Sequence, residues 1–153
     1  MNSNAKEQYE AYERECGVIR KENQVVLREF YDWMKARNKS ERTAGMHFDN
    51  AAFYIQQFLL YEQPLRPHEG ASSIGMYLGY WFIRKGAIAT PGTVRTNATS
   101  LVQFYSFLVE KAKVPAKNLD QMRKTIKAEM KDWQERARRY NNPAIVDPGK
   151  IWI

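Results

Sequence analysis

Apolar positions in this chain recur at intervals of three and four almost from end to end, and strict alternation is nearly absent, so the pattern is all-α. Residues 9–20 are charged and weakly periodic, predicting a peripheral helix. Val26, Phe30, Trp33 and Met34 share one face of a following helix that stops near Arg37-Asn38. Ser40 is a natural N-cap, because its hydroxyl can accept an orphan backbone N–H. The helix behind it carries Ala44, Phe48, Ala51, Ala52, Ile55, Phe58 and Leu59 in one broad stripe, closed by Pro64 and Pro67.

A third helix is predicted over 71–85, with Ile74, Tyr77, Leu78, Trp81 and Phe82 facing the core. Gly75 and Gly79 sit one turn apart inside it. Each costs about 1 kcal/mol relative to Ala, which predicts close approach of another backbone. Residues 86–92 read as a loop and Thr93 as the cap of a fourth helix, whose core face is Val94, Ala98, Leu101, Val102, Tyr105, Leu108 and Ala112. The last helix is predicted from Asn118, where Asn118 and Gln121 have capping-box spacing. Its stripe of Leu119, Met122, Ile126, Met130, Trp133, Ala137 and Tyr140 must be buried in the same bundle or in a partner. On its wet side Asp132/Arg136 and Glu135/Arg139 are spaced as i,i+4 ion pairs. Pro143 and Pro148 predict an extended tail over 141–153.

The length of 153 residues suits one domain with its own core. Cys16 is the single cysteine, so no internal disulfide can form, which fits a reducing, cytoplasmic setting. The first residues lack the apolar core of a signal peptide. The longest apolar run, 74–83, is about half the ~20 residues needed to cross a bilayer, so no membrane partner is expected. Only His47 and His68 are available as neutral-pH bases, and neither has a Ser or Cys in a nucleophile context. There is no zinc spacing, no phosphate-binding glycine loop and no dinucleotide fingerprint. The expectation is a non-enzyme without metal, cofactor or small-molecule substrate.

Charge sharpens this. The formal net charge is +7, unevenly spread. Residues 70–109 contain no Asp or Glu but include Arg84, Lys85 and Arg95. Lys35, Arg37, Lys39 and Arg42 have Glu41 as their nearby acid, and 122–139 hold seven bases against three acids. Phosphate backbones repel carboxylates, so acid-poor stretches are what docking onto them requires. The fourth helix also presents Arg95, Thr96, Thr99, Ser100 and Gln103 opposite its apolar face, a surface built of small polar groups rather than the usual Glu and Lys.

The order of elements carries a resemblance. A helix, then Ser40-x-x-Thr43 opening a second helix with Phe48, Phe58 and Leu59, a third helix, and a Thr93-led helix with Leu101 and Phe104-Tyr105-Ser106-Phe107-Leu108, resembles the core-binding domain of tyrosine recombinases, the SAM-like amino-terminal domain of phage-type integrases. The match spans roughly 25–115. It implies a compact orthogonal bundle of four to five main helices that clamps duplex DNA, flanked here by a peripheral segment (1–24), an additional amphipathic helix (116–140) and the tail (141–153). It further implies DNA contacts at the starts of the second and fourth helices. The matching positions are Lys39, Ser40, Arg42, Thr43 and His47, then Thr93, Arg95, Thr96, Asn97 and Thr99. Val102 and Ser106 stand where the family commonly has bases, and the family's catalytic Arg, Lys, His-x-x-Arg, His and Tyr series is absent. The expected function is a non-catalytic DNA-binding module in a DNA recombination or integration context. The alternative is a bundle that has lost DNA binding and pairs with itself or another protein through the 119–140 helix or through exposed aromatics such as Phe53 and Phe107.

Overall fold

In the computed structural model, which describes residues 3–85 and 89–142, about 85% of the chain is helical and no strand occurs among the described residues. Contacts divide the chain into two units, Met1–Gly70 and Ala71–Ile153.

The first unit is built on α1, Ser3–Ala36. The separate peripheral helix expected before residue 25 does not exist, because α1 runs unbroken through that boundary. Its buried residues Cys16, Ile19, Asn23, Leu27, Phe30 and Met34 follow one another at spacings of three and four, a single seam. Hydrophobicity alone misses this seam because Asn23 is polar. α1 ends in a Schellman turn: Asn38 adopts the left-handed conformation (φ 66°), Lys39 N–H donates to Met34 O and Asn38 N–H to Lys35 O. Ser40 caps α2, Glu41–Phe53, as expected, its Oγ accepting the Thr43 N–H at 3.1 Å. α2 then runs into a π-helical turn, π1, Tyr54–Phe58. Asn23 Nδ2 donates to the Ile55 carbonyl in this turn at 3.2 Å and to Gln56 Oε1 at 2.8 Å, and Gln56 Nε2 donates to Arg20 O. Arg66 grips Glu22 with two hydrogen bonds, and Tyr54 donates to Gly70 O at 2.6 Å, fixing the segment after π1.

In the second unit, α3 (Ile74–Met76), a π turn π2 (Tyr77–Trp81) and α4 (Phe82–Lys85) follow one another without a gap. The neighbour of its glycines is an indole, not a backbone. A Cβ on Gly79 would stand 2.8 Å from Trp133 Cδ1 and 2.9 Å from its Nε1, whereas one on Gly75 would meet nothing nearer than 3.7 Å. α5 spans Pro91–Glu110, so Pro91 and Gly92, expected in a loop, are helical. Its cap is Thr90 rather than Thr93. Pro91 suits the first helical position, having no N–H to satisfy, and Thr93 completes a reciprocal box with Thr90.

α5 ends in a second Schellman turn at Ala112 (φ 58°), with Lys113 N–H on Leu108 O. Ala112 is therefore an exposed turn residue and not a core one. α6, Ala116–Asn141, begins two residues before the expected Asn118 cap, behind Pro115. Of its stripe, Met122, Met130, Trp133 and Ala137 are buried, and Leu119, Ile126 and Tyr140 are half-buried. Asp132 and Arg136 pair at 3.0 Å as expected, but Glu135 pairs with Arg138, not Arg139. The tail from 143 and the stretch 86–88 lie outside the described residues.

Candidate nucleic-acid interface

The residues expected to touch DNA fall five in each unit. In the first, the start of α2 exposes Ser40 and Arg42 and half-exposes Lys39 and Thr43. Two features count against phosphate there. Glu41 occupies the first turn, placing a carboxylate where an anion would dock. His47 is only 4% exposed. Burial, reinforced by the nearby Lys39 charge, holds its pKa below the ordinary imidazole value. His47 is thus a neutral interior group and offers no cation to a phosphate, contrary to the sequence expectation.

The start of α5 is different. Its first turn contains no acid, and Arg95 and Thr99 are exposed. The cap is closed by Thr93 N–H on Thr90 Oγ1 (3.1 Å) and Thr90 N–H on Thr93 Oγ1 (2.8 Å). With Pro91 lacking an N–H and that of Thr93 occupied, the amide of exposed Gly92 is left to face an anion. Thr96 and Thr99 donate their hydroxyls to the carbonyls one turn back, on Gly92 and Arg95, so either must break that bond to donate to a phosphate.

Asn97 turns inward. It is 4% exposed, its Nδ2 donates to Thr93 O at 2.9 Å, and its Oδ1 has no hydrogen-bond partner among the described residues. Ser100, expected on the polar face, is fully buried, and so is Phe107, expected to be exposed; Phe53 is half-buried. The apolar arc of α5 is wider than a strict 3.6-residue stripe, because Ser100 and Phe107 extend it to a flank that hydrophobicity could not assign.

Two residues that the sequence did not single out brace this helix start. Gln134 Nε2 on α6 donates to Pro91 O at 3.0 Å, and Asn141 Nδ2 donates to Ala89 O. Polar residues on the border of an apolar stripe were the available signal, but nothing in their spacing names the carbonyls they reach.

Charge separates the units as well. Residues 3–70 hold ten Lys and Arg against eleven Asp and Glu, whereas 71–142 hold thirteen against five. The positive excess of the chain belongs to the second unit. An open groove of about 650 Å³ in the first unit, lined by Gln24, Leu27, Arg28, Tyr31, Asp32, Gly45 and Phe48, carries one base and one acid and no nucleophile. Among the described residues no three His, Cys, Asp or Glu are grouped to hold a metal, and no helix is long and apolar enough to cross a membrane. No family model, no curated protein and no solved structure matches the chain.

Proposed function

We propose that this protein is a non-catalytic module that binds duplex DNA through its phosphate backbone, in the manner of the recombinase core-binding domains its sequence resembles. The observation that carries this reading is the start of α5. It has an acid-free first turn, an exposed Arg95, and a glycine amide open to an anion, in the unit that holds the positive excess of the chain. The helix dipole adds a partial positive charge at the same place. α2 contributes less, because Glu41 opposes an anion there and His47 is buried; Lys39 and Arg42 are its remaining cations.

The test is fluorescence anisotropy of a labelled duplex at low and moderate salt, with wild type, Arg42→Ala and Arg95→Ala. Affinity falls with salt by about 0.9 log units per log unit for each phosphate neutralised. Arg95→Ala reduces both the affinity and that slope, and Arg42→Ala does so less. Absence of binding at low salt, or indifference to both substitutions, refutes the reading.

A second reading, pairing with another copy of the chain, no longer rests on the α6 stripe, since Trp133 is 1% exposed and Met122 likewise. It rests instead on Met76 and Tyr80, 62% and 49% exposed. A concentration-dependent dimer in sedimentation equilibrium, abolished by Met76→Lys, is what that reading requires.

A further inference from the structure

α6 packs its apolar stripe against its own unit and turns a second, polar row outward. Lys124, Lys127, Lys131, Gln134 and Arg138 follow one another at spacings of three, four, three and four, so they share one helix face. Lys124, Lys127 and Lys131 are exposed, and none forms an ion pair among the described residues. No carboxylate interrupts the row between 124 and 134. Asp120 stands one turn before it, and Glu135, on the next face, is taken up by Arg138.

The position of this row is fixed by two hydrogen bonds already described. Gln134 is a member of the row and reaches Pro91 O, the first residue of α5, while Asn141 reaches Ala89 O. The lysines therefore lead along α6 to the capped, acid-free start of α5. The apolar side of α6 is buried, which leaves the helix no face to lay into a lipid interface.

We propose that Lys124, Lys127 and Lys131 form a track for one strand of a duplex DNA backbone, which extends the contact made at the start of α5. The inference rests on the DNA-binding reading and assigns its main electrostatic contact to α6, a helix outside the span of the recombinase resemblance. The dimensions suit it. At about 1.5 Å rise per residue the three ammonium stems are spread over roughly 10 Å of axis. One strand presents a phosphate about every 3.4 Å, so that length covers about three phosphates.

The experiment measures the slope of log K against log salt for the full chain on a duplex of about 20 base pairs. Replacing all three lysines by Gln lowers the slope by about 2–3, and replacing all three by Arg preserves it. A control that removes three exposed charges from the first unit, Lys6→Gln, Lys21→Gln and Lys35→Gln together, leaves the slope unchanged. Circular dichroism melts establish that each variant is folded.

If wild type binds, Arg95→Ala weakens binding and the α6 triple retains the wild-type slope, the α6 track is wrong and the DNA-binding reading stands. If the first-unit control lowers the slope as much as the α6 triple, the effect is one of net charge and the track is again wrong. Vesicles containing 30% phosphatidylserine provide the lipid arm. Binding to them as tight as to DNA, lost in the α6 triple, overturns the assignment to DNA. Wild type that fails to bind DNA at low salt removes both proposals together.

Discussion

Gly79→Ala is the substitution on which the packing of the second unit is most exposed to test. The added Cβ would lie 2.8 Å from Trp133 Cδ1 and 2.9 Å from Nε1, well inside the ~3.5–4.0 Å at which carbon atoms pack. Trp133 is 1% exposed and has no open side to retreat into. Forcing a methyl into such a site costs about 1–3 kcal/mol. Ala gains roughly 1 kcal/mol over Gly as a helix former, so the net loss is about 1–2 kcal/mol. Gly75, one turn earlier, is the internal control. Its Cβ would meet only Glu129 Oε2 at 3.7 Å and Trp133 Cζ2 at 4.0 Å, ordinary contacts, so Gly75→Ala gains up to about 1 kcal/mol.

Urea titrations followed by far-UV circular dichroism compare the two midpoints at unchanged m. The clashing atoms belong to the five-membered ring of the indole, which Phe lacks. In a Trp133→Phe background the cost of Gly79→Ala therefore shrinks, a coupling that a double-mutant cycle reads directly. The reasoning fails if Gly79→Ala is as stable as Gly75→Ala, or if its cost is the same with and without the indole.

Ala112 holds a left-handed turn that L residues other than Gly and Asn rarely adopt, so Ala112→Gly is expected to stabilise the protein by about 1 kcal/mol, read as a rise in Tm. His47 has a folded pKa below its ordinary 6.5, so its neutral burial contributes stability that is present above that value. This contribution is lost as pH falls from there toward the folded pKa; His47→Gln therefore flattens the decline in stability below pH 6.5, and an unchanged profile contradicts the assignment. Gly92→Ala meets only Thr90 Oγ1 at 3.7 Å and leaves the fold intact or slightly stabilised, while the new methyl beside the one open amide of α5 lowers DNA affinity several-fold in anisotropy. Unaltered affinity places the phosphate elsewhere.

The all-helical architecture was legible because 3.6-residue periodicity survives wherever a helix buries one stripe; the α6 stripe and the Ser40 cap were read correctly. What escaped had local causes. The continuity of α1 was hidden by Asn23, a polar residue buried because its amide serves Ile55 O and Gln56. The α5 cap was shifted by three residues because Thr90 and Thr93 are chemically equivalent candidates, and only the helical fit of Pro91 decides between them. At the candidate site, residue types indicated that an acid-free face exists, but not that Asn97, Ser100 and His47 turn into the interior. Side-chain direction at the border of an apolar arc depends on how wide that arc is, and its width is set by packing partners distant in sequence.

The two π turns share a construction. In each, a carbonyl inside the turn accepts a hydrogen bond from the side chain of a long helix in the same unit: Ile55 O from Asn23, and Gly79 O from Arg136 at 3.3 Å. A π turn holds one residue more than the α-helical turn it replaces, and rotates everything after it by about 100° relative to an uninterrupted helix. Leu59 and Leu60 after π1, and Phe82 and Ile83 after π2, owe their inward orientation to that added residue. Each helix is therefore two short apolar faces set at an angle and joined by a pivot that a distant amide or guanidinium locks in place. Removing one residue from either pivot would straighten the rod and swing its far end, with those buried side chains, out into water.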